Sequence, residues 1–264
     1  MPRHAARPAP VLLPFHQDER LSQHNLVLQP EDASVVEPVL PDADRWQRLV
    51  TLYDQLAARV AAATAEAGIT TVVSGDCLAA LGTLAGMQRA GLDPSLVWFD
   101  AHGDVHTAAT STSGYLGGMA LRMALGGDAE RLACPLGLQP LAEERVVLVD
   151  GRDLDPAEVA YLATADVQRR RVEDVEAEDL PNGPLLLHLD VDVIDAASVP
   201  GVRFPVAGGP SKDAVLSALR RLIRSGRVRG VDVACIWSDA HDEGEQRVRH
   251  DLLAELLYDV TVVA

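Results

Sequence analysis

The sequence has few cysteines, few aromatic residues and too few basic residues to balance its acids, and each shortage excludes something. Three widely spaced cysteines cannot form a disulfide framework, so we expect a reducing compartment, by default the cytoplasm. The 23 Lys and Arg residues against 39 Asp and Glu give a net charge of −16, which argues against nucleic-acid and membrane partners. No apolar run reaches the ~18 residues of a membrane span. Aromatic residues make up only 4% of the chain, so we expect a core of Leu, Val and Ala.

Short apolar strands alternate with amphipathic helices along the chain. Strands are predicted at 11–13, 69–73, 96–99, 145–149, 167–172, 185–189 and 229–236, and helices at 42–67, 78–90, 117–125, 156–163, 211–224 and 246–260. This alternation predicts an α/β fold with a mostly parallel sheet covered by helices on both faces. We expect one domain over 1–264 with residues 1–10 flexible, an irregular segment at 15–41, and N-caps at Asp42 and Ser211.

A strand at 96–99 runs directly into a segment that is rich in potential metal ligands. Asp100, His102 and Asp104 alternate, so in an extended segment their side chains lie on one side. Two carboxylates and an imidazole at the end of a buried strand are costly to leave without partners. A divalent metal ion is the simplest group that would compensate them.

A second acidic pair, Asp190 and Asp192, follows the strand at 185–189. One such pair is more often a solvated strand end, but the carboxyl ends of parallel strands meet at one edge of a sheet. Both acidic motifs, with further acids at 76 and 150–155, are therefore expected to converge. Oxygen ligands with one imidazole suit Mn²⁺ or another hard divalent ion. Two adjacent ions would lower the pKa of a shared water and present hydroxide to an electrophilic carbon.

Three motifs resemble those of the arginase/agmatinase (ureohydrolase) family. They are D-A-H-G-D at 100–104, D-V-D-V-I-D at 190–195 followed by F-P-V-A-G-G-P-S at 204–211, and S-G-D-C at 74–77, where the family usually has G-G-D-H. The resemblance implies an arginase-like three-layer α/β/α fold, a binuclear Mn²⁺ centre and hydrolysis of a C–N bond in a small-molecule guanidine or amidine. Members of this family often form homo-oligomers, so the resemblance is compatible with a homo-oligomer here.

The resemblance also implies six metal ligands. They are Cys77, Asp100, His102, Asp104, Asp190 and Asp192. Cys77 and Asp104 would each contact the first ion, and His102 and Asp192 the second. Asp100 and Asp190 would bridge both ions, and Asp104 would also accept a hydrogen bond from the bridging hydroxide.

Cys77 replaces a histidine ligand of the family and has two interpretations. A lone cysteine is usually a small buried hydrophobe, but at a ligand position we favour a metal-bound thiolate. A thiolate adds one negative charge to four carboxylates, so the ions would be weaker Lewis acids. It also makes Zn²⁺ or Fe²⁺ compatible with the site alongside Mn²⁺.

Five residues are predicted to contact the substrate. They are His106, Ser113, Tyr115, Asp153 and Asp155. Ser113 matches an arginase residue that helps to hold an α-amino-acid carboxylate, whereas His106 and Tyr115 stand where arginases have Asn. Asp153 and Asp155 either read an α-amino group or form the first turn of a helix, where acids are favoured in any case.

The residues for proton transfer differ most from those of arginases. Gly117 stands where arginases have the His used in proton transfer, so His106 either supplies this relay or is a solvated loop histidine. We predict Asp104 and His106 as the catalytic residues. Cys77 and the 114–119 segment resemble the hydroxyarginine hydrolase branch of the family.

Cys235 stands where guanidine hydrolases have the Glu that pairs with the guanidinium. Leaving a buried guanidinium without that partner costs about 3–5 kcal/mol. Arginine and agmatine are therefore poor candidates, and a hydroxyguanidine or a less basic amidine is more compatible, unless Asp239 or Glu243 supplies the charge. The alternative is a catalytically degenerate relative that only binds metal or a metabolite.

Overall fold

The computed structural model describes residues 9–66 and 68–263, and its strands form one large sheet and a small hairpin. The strands are β1 (Val11–Leu12), β2 (Phe15–His16), β3 (Glu19–Arg20), β4 (Ser34–Val35), β5 (Thr70–Ser74), β6 (Ser95–Asp100), β7 (Val146–Asp150), β8 (Gln168–Arg170), β9 (Leu185–Asp190) and β10 (Val228–Ala234). Eight of these form a parallel sheet in the order β4-β1-β5-β10-β9-β6-β7-β8. Strands β2 and β3 pair antiparallel beside it.

Helices cover the two faces of the sheet. They are α1 (Arg45–Ala65), α2 (Ala79–Arg89), α3 (Ala120–Ala124), α4 (Pro156–Leu162), α5 (Lys212–Arg224) and α6 (Glu243–Val263). Helices α1 to α3 share one hydrophobic core with the sheet, and α5 and α6 share a second core with its other face. The predicted three-layer α/β/α class is confirmed. Among the described residues, no helix is long and apolar enough to cross a membrane.

Local sequence signals predicted most helix ends to within a few residues of their positions in the structure. Ser211 is the N-cap of α5, as predicted, since its hydroxyl accepts a hydrogen bond from Ala214 N at 3.2 Å. The prediction of Asp42 as the N-cap of α1 is wrong, because Asp44 accepts the capping bond from Gln47 N at 3.1 Å. The predicted end of α1 at Ala67 lies outside the described residues.

The N-terminal segment is more regular than expected. Residues 1–8 of the segment expected to be flexible lie outside the described ranges, and Pro10 O accepts a hydrogen bond from Ser34 N at 2.8 Å. The stretch 15–41, predicted as irregular, contains β2, β3 and β4, and β4 forms an edge of the main sheet. Strands of two residues are too short for periodicity to indicate them.

The central strands bring the acidic motifs to one edge of the sheet. Strands β5, β10, β9, β6 and β7 are neighbours and run in the same direction, so their carboxyl ends meet. Strand β6 ends at Asp100 and β9 at Asp190, and each is buried along its whole length. Two buried neighbouring strands therefore carry the first acidic residue of each motif.

Candidate metal centre

A cavity of about 280 Å³ opens at this edge of the sheet. Ten of the eleven predicted site residues line it, namely Cys77, His102, Asp104, His106, Ser113, Tyr115, Asp153, Asp155, Asp190 and Asp192. The eleventh, Asp100, is only 1% exposed. The structure thus brings residues from five separate segments of the chain into one site.

Asp100, His102 and Asp192 form a compact group in which one potential ligand atom of each lies within 4.8 Å of the others. His102 Nδ1 is 3.3 Å from Asp100 Oδ1 and 3.0 Å from Asp192 Oδ2. The backbone fixes both carboxylates, because Asp100 accepts from His102 N at 2.7 Å and Asp192 accepts from Ala101 N at 3.2 Å. These are the predicted ligands of the second ion, apart from Asp190.

The charges in this group are strongly interdependent. Burial disfavours the imidazolium of His102, but its hydrogen bonding to the carboxylates of Asp100 and Asp192 outweighs burial and raises its pKa to about 12. Burial and the charge of Asp100 raise the pKa of Asp192 to about 6. Without a bound cation, a protonated His102 offsets the electrostatic repulsion between the carboxylates of Asp100 and Asp192. A bound cation could offset the same repulsion.

Cys77 lies immediately before α2, and its side chain is buried against the acidic group. Its thiol donates to Asp190 Oδ2 at 2.9 Å. Burial, followed by the neighbouring negative charges with Asp190 foremost, raises the pKa of the thiol well above its usual range. In the absence of a cation, these surroundings favour the protonated thiol.

Asp104 has the least satisfied carboxylate of the set. It adopts a left-handed backbone conformation with φ of 52°, which an L-residue other than Gly, Asn or Asp rarely takes. Its Oδ2 is buried and has no hydrogen-bond partner among the described residues. Burial and the charge of Asp100 raise the pKa of Asp104, and burial and Asp192 raise that of Asp190. A buried group of carboxylates with a thiol, an imidazole and an orphaned oxygen fits two divalent cations.

Two further acids at this edge of the sheet, one after β5 and one at the end of β7, have structural partners instead. Asp76 accepts hydrogen bonds from Tyr53 Oη at 3.1 Å, from Gln17 N at 2.6 Å and from Leu78 N at 2.8 Å. Asp150 pairs with Arg152, which also donates to Val193 O at 2.9 Å. A position at a strand end is therefore not enough to identify a metal ligand, because Asp76 and Asp150 have that position and are bonded to other protein groups.

His106 points into the cavity and is 9% exposed. Its Nε2 is 3.1 Å from Asp155 Oδ2, and its Nδ1 is 3.1 Å from Thr110 Oγ1. Glu158 supports the same region, because it accepts from Val105 N at 3.2 Å and from Asp155 N at 3.0 Å. The structure thus favours a held histidine over a solvated loop histidine.

Tyr115 fills the space beside Gly117. A Cβ added at Gly117 would lie 2.4 Å from Tyr115 Cε1 and 2.9 Å from Tyr115 Oη. The ring packs between His16, at a centroid distance of 5.9 Å, and Phe204, at 4.8 Å. Tyr115 Oη is buried and has no hydrogen-bond partner among the described residues, and burial, followed by the electrostatic influence of Cys77 and the nearby acids, raises the pKa of the phenol. The hydroxyl is therefore a neutral donor beside the acidic group.

The side chain at position 235 is a thiol and supplies no carboxylate. Cys235 is 5% exposed, and burial followed by the charge of Asp190 raises the pKa of its thiol. The two candidate replacements for a glutamate do not line the cavity. Asp239 is exposed and accepts a hydrogen bond from Asn25 Nδ2, and Glu243 is exposed at the start of α6. The suggestion that either one supplies the missing charge is therefore not supported.

Two buried residues near the centre, Glu158 and His188, were not among the predicted site residues. Glu158 was signalled by Asp155-Pro156-Ala157-Glu158, a typical capping box in which Glu at N3 bonds back to the N-cap. His188 alternates with Asp190 and Asp192, and that alternation was visible in the sequence. Its neighbours on adjacent strands, Trp98 and Asp232, were not.

Comparisons with known proteins identify relatives over most of the chain. The family model described as Arginase family matches residues 16–259. The arginase of Bacillus subtilis is 32% identical over 192 residues, which are 68% of this chain and 65% of that protein. The N(omega)-hydroxy-L-arginine amidinohydrolase of Streptomyces lavendulae is 32% identical over 186 residues, with the same two shares. The chain therefore spans just under two thirds of the length of these relatives.

Solved structures are similar over almost the whole chain. The arginase of Bacillus cereus superposes with a TM-score of 0.77 at 22% identity, covering 96% of this chain and 97% of that one. The formimidoylglutamase of Bacillus subtilis superposes with a TM-score of 0.71 at 17% identity, covering 97% of this chain and 87% of that one. At these identities the likeness shows the fold, and the fold is shared by proteins named for different substrates.

Proposed function

Because the chain belongs to the arginase family, we propose that it is a binuclear-metal-dependent hydrolase of a C–N bond in a guanidino, hydroxyguanidino or amidine compound. The observation that carries the proposal is the buried group of four carboxylates, one thiol and His102 at the base of the cavity. Such a group repels itself without cations, and its residue types are those that bind divalent metals.

Two divalent ions would be held by the six predicted ligands. Cys77 and Asp104 would serve one ion, His102 and Asp192 the other, and Asp100 would bridge them with Asp190. When bound, the ions lower the pKa of a coordinated water and so supply a nucleophile at neutral pH. Mn²⁺ suits the oxygen ligands, and the thiol makes Zn²⁺ or Fe²⁺ compatible.

The remaining residues of the cavity position the substrate and move protons. Asp104 has a free carboxylate oxygen with which to accept a hydrogen bond from the nucleophile. His106, held by Asp155, can deliver a proton to the leaving nitrogen. The neutral hydroxyl of Tyr115 can donate a hydrogen bond to a substrate atom, and Ser113 and Asp153 lie on the cavity wall where polar substrate groups would bind.

The substrate is expected to be less basic than a simple guanidine. A guanidinium held near Cys235 would lack an anionic partner, at a cost of about 3–5 kcal/mol. Phe204 and Ile236 add apolar surface to the same cavity. A hydroxyguanidine or an amidine, which is more easily bound in its neutral form, avoids most of this penalty.

A substrate panel tests the proposal. Protein reconstituted with Mn²⁺, Zn²⁺ or Fe²⁺ is offered guanidines, N-hydroxyguanidines, amidines and formimino compounds, and release of urea, hydroxyurea, ammonia or formamide is measured. We expect turnover of a hydroxyguanidine or amidine and its loss in Asp192→Asn. Asp93→Asn is the matched control, since Asp93 is a surface acid before β6 at the opposite edge of the sheet.

Metal-loaded protein that turns over none of these compounds would refute the hydrolase. Retained metal binding in that case would instead support a relative that binds metal or a metabolite without catalysis. The neutral residue at 235 and the absence of a histidine at 117 are the observations that favour this second candidate.

A further inference from the structure

His188 lies below the acidic group in a row of side chains that crosses three strands. The strand register pairs it with Trp98 on β6 and with Asp232 on β10. The Trp98 ring stacks on the imidazole at a centroid distance of 3.6 Å. Asp232 Oδ1 accepts from His188 Nδ1 at 2.9 Å, and Thr83 Oγ1 donates to Asp232 Oδ2 at 2.5 Å. The position and the tautomer of the imidazole are therefore fixed, with Nδ1 carrying the proton.

Within the described part of the chain, the other ring nitrogen, Nε2, has no hydrogen-bond partner. His188 is fully buried, and its Nε2 has no hydrogen bond to any described residue. A ring nitrogen of His188 lies within 4.8 Å of both the Cys77 thiol and an Asp100 carboxylate oxygen. Because Nδ1 is engaged with Asp232, Nε2 is the nitrogen left to act as a ligand. A buried lone pair without a donor, close to a thiol and a carboxylate, is costly unless a cation completes the set.

We propose that His188 Nε2 is a ligand of the metal ion that Cys77 and Asp100 hold, with Asp232 as its orienting carboxylate. Metal-binding histidines commonly donate their second ring N–H to a carboxylate, which fixes the tautomer and makes the ring more basic. The inference rests on the metal centre of the proposed function and not on hydrolytic activity.

The assignment also accounts for Cys77. The chain lacks the histidine that the family resemblance implies at position 77, and strand β9 supplies an imidazole from the sheet side instead. A neutral imidazole adds no charge to an already acidic group. The resulting set of nitrogen, sulfur and oxygen ligands shifts the preference of this ion from Mn²⁺ towards Zn²⁺, Fe²⁺ or Co²⁺.

X-ray absorption on the wild-type protein loaded with Zn²⁺ tests the assignment without any variant, because outer-shell scattering counts imidazole ligands. We expect two imidazoles per pair of ions, from His102 and His188. A single imidazole in a protein that holds two ions and turns over substrate overturns this inference alone. Two imidazoles in a protein that turns over no substrate would refute the proposed hydrolytic function and leave the ligand assignment standing.

Variants assign the second imidazole to its residue. His188→Gln should remove one imidazole from the absorption spectrum and weaken the binding of one Zn²⁺ at least tenfold in chelator competition. Asp232→Asn should keep both imidazoles and weaken the same ion 10- to 100-fold, as for other orienting carboxylates. His16→Gln is the control, because His16 is also buried but bonds to Gly75 O at 2.8 Å. An unchanged imidazole count in His188→Gln would refute the proposal.

Discussion

The contact between Tyr115 and Gly117 makes a sharp prediction about the substrate loop. In Gly117→Ala the new methyl group would lie 2.4 Å from Tyr115 Cε1 and 2.8 Å from Cζ, whereas carbon atoms in contact are normally about 3.5–4.0 Å apart. The Tyr115 ring cannot simply rotate away, because His16 and Phe204 flank it. Overpacking of this kind costs about 1–3 kcal/mol, so we expect Gly117→Ala to lower the free energy of unfolding by that amount.

Urea unfolding of a double-mutant cycle measures this coupling. The extra cost of Gly117→Ala should vanish when Tyr115 is already Ala, which gives a favourable coupling of about 1–3 kcal/mol. Gly118→Ala is the matched control, since its nearest neighbour, His106 Cδ2, is 3.9 Å away. This control should be neutral or slightly stabilising, by about 0.4–1 kcal/mol. Equal stability of the two alanine variants, with an additive cycle, would refute the packing described for Tyr115.

Three further predictions concern separate parts of the molecule. Cys77→His should shift the metal preference towards Mn²⁺, and Cys77→Ala should weaken the binding of one of the two ions. Unchanged metal affinities in chelator competition would exclude thiolate ligation. His106→Asn should lower kcat while metal content stays constant, and a wild-type kcat would remove His106 from catalysis. Burial disfavours ionisation of Asp18, but hydrogen bonds from Arg45 and Arg48 hold its pKa below the usual 3.8. Asp18→Asn should therefore cost up to about 1 kcal/mol of stability after solvent screening. In urea unfolding this cost should shrink as the pH falls below 3.8 and vanish once Asp18 is protonated in the folded wild type as well.

The sequence was sufficient to predict the sheet and the position of the acidic residues at its edge, because these signals are local. Apolar runs followed by acids marked the ends of β6 and β9, and the parallel arrangement then required these ends to meet. Ser211 was found as an N-cap for the same reason, since a cap and its helix are adjacent in the chain. The family resemblance added Cys77, which no local pattern would have singled out.

The rest depends on contacts between distant segments. Nothing near Asp76 in the sequence indicates that Tyr53 and Gln17 satisfy its carboxylate. The isolation of His188 Nε2 likewise depends on the register between β9 and β10, which no single strand specifies. The filling of the space at Gly117 by Tyr115 is a matter of side-chain direction.

Elemental analysis of the purified protein shows whether the buried acidic group is a binuclear metal centre. After loading with Mn²⁺, Zn²⁺ or Fe²⁺ and removal of free metal, we expect two ions per chain in the wild type and in Asp93→Asn. Asp190→Asn, which removes the charge of a proposed bridging carboxylate, should retain one ion or none. A wild-type protein that retains no more metal than Asp190→Asn would show that this group does not hold a pair of ions.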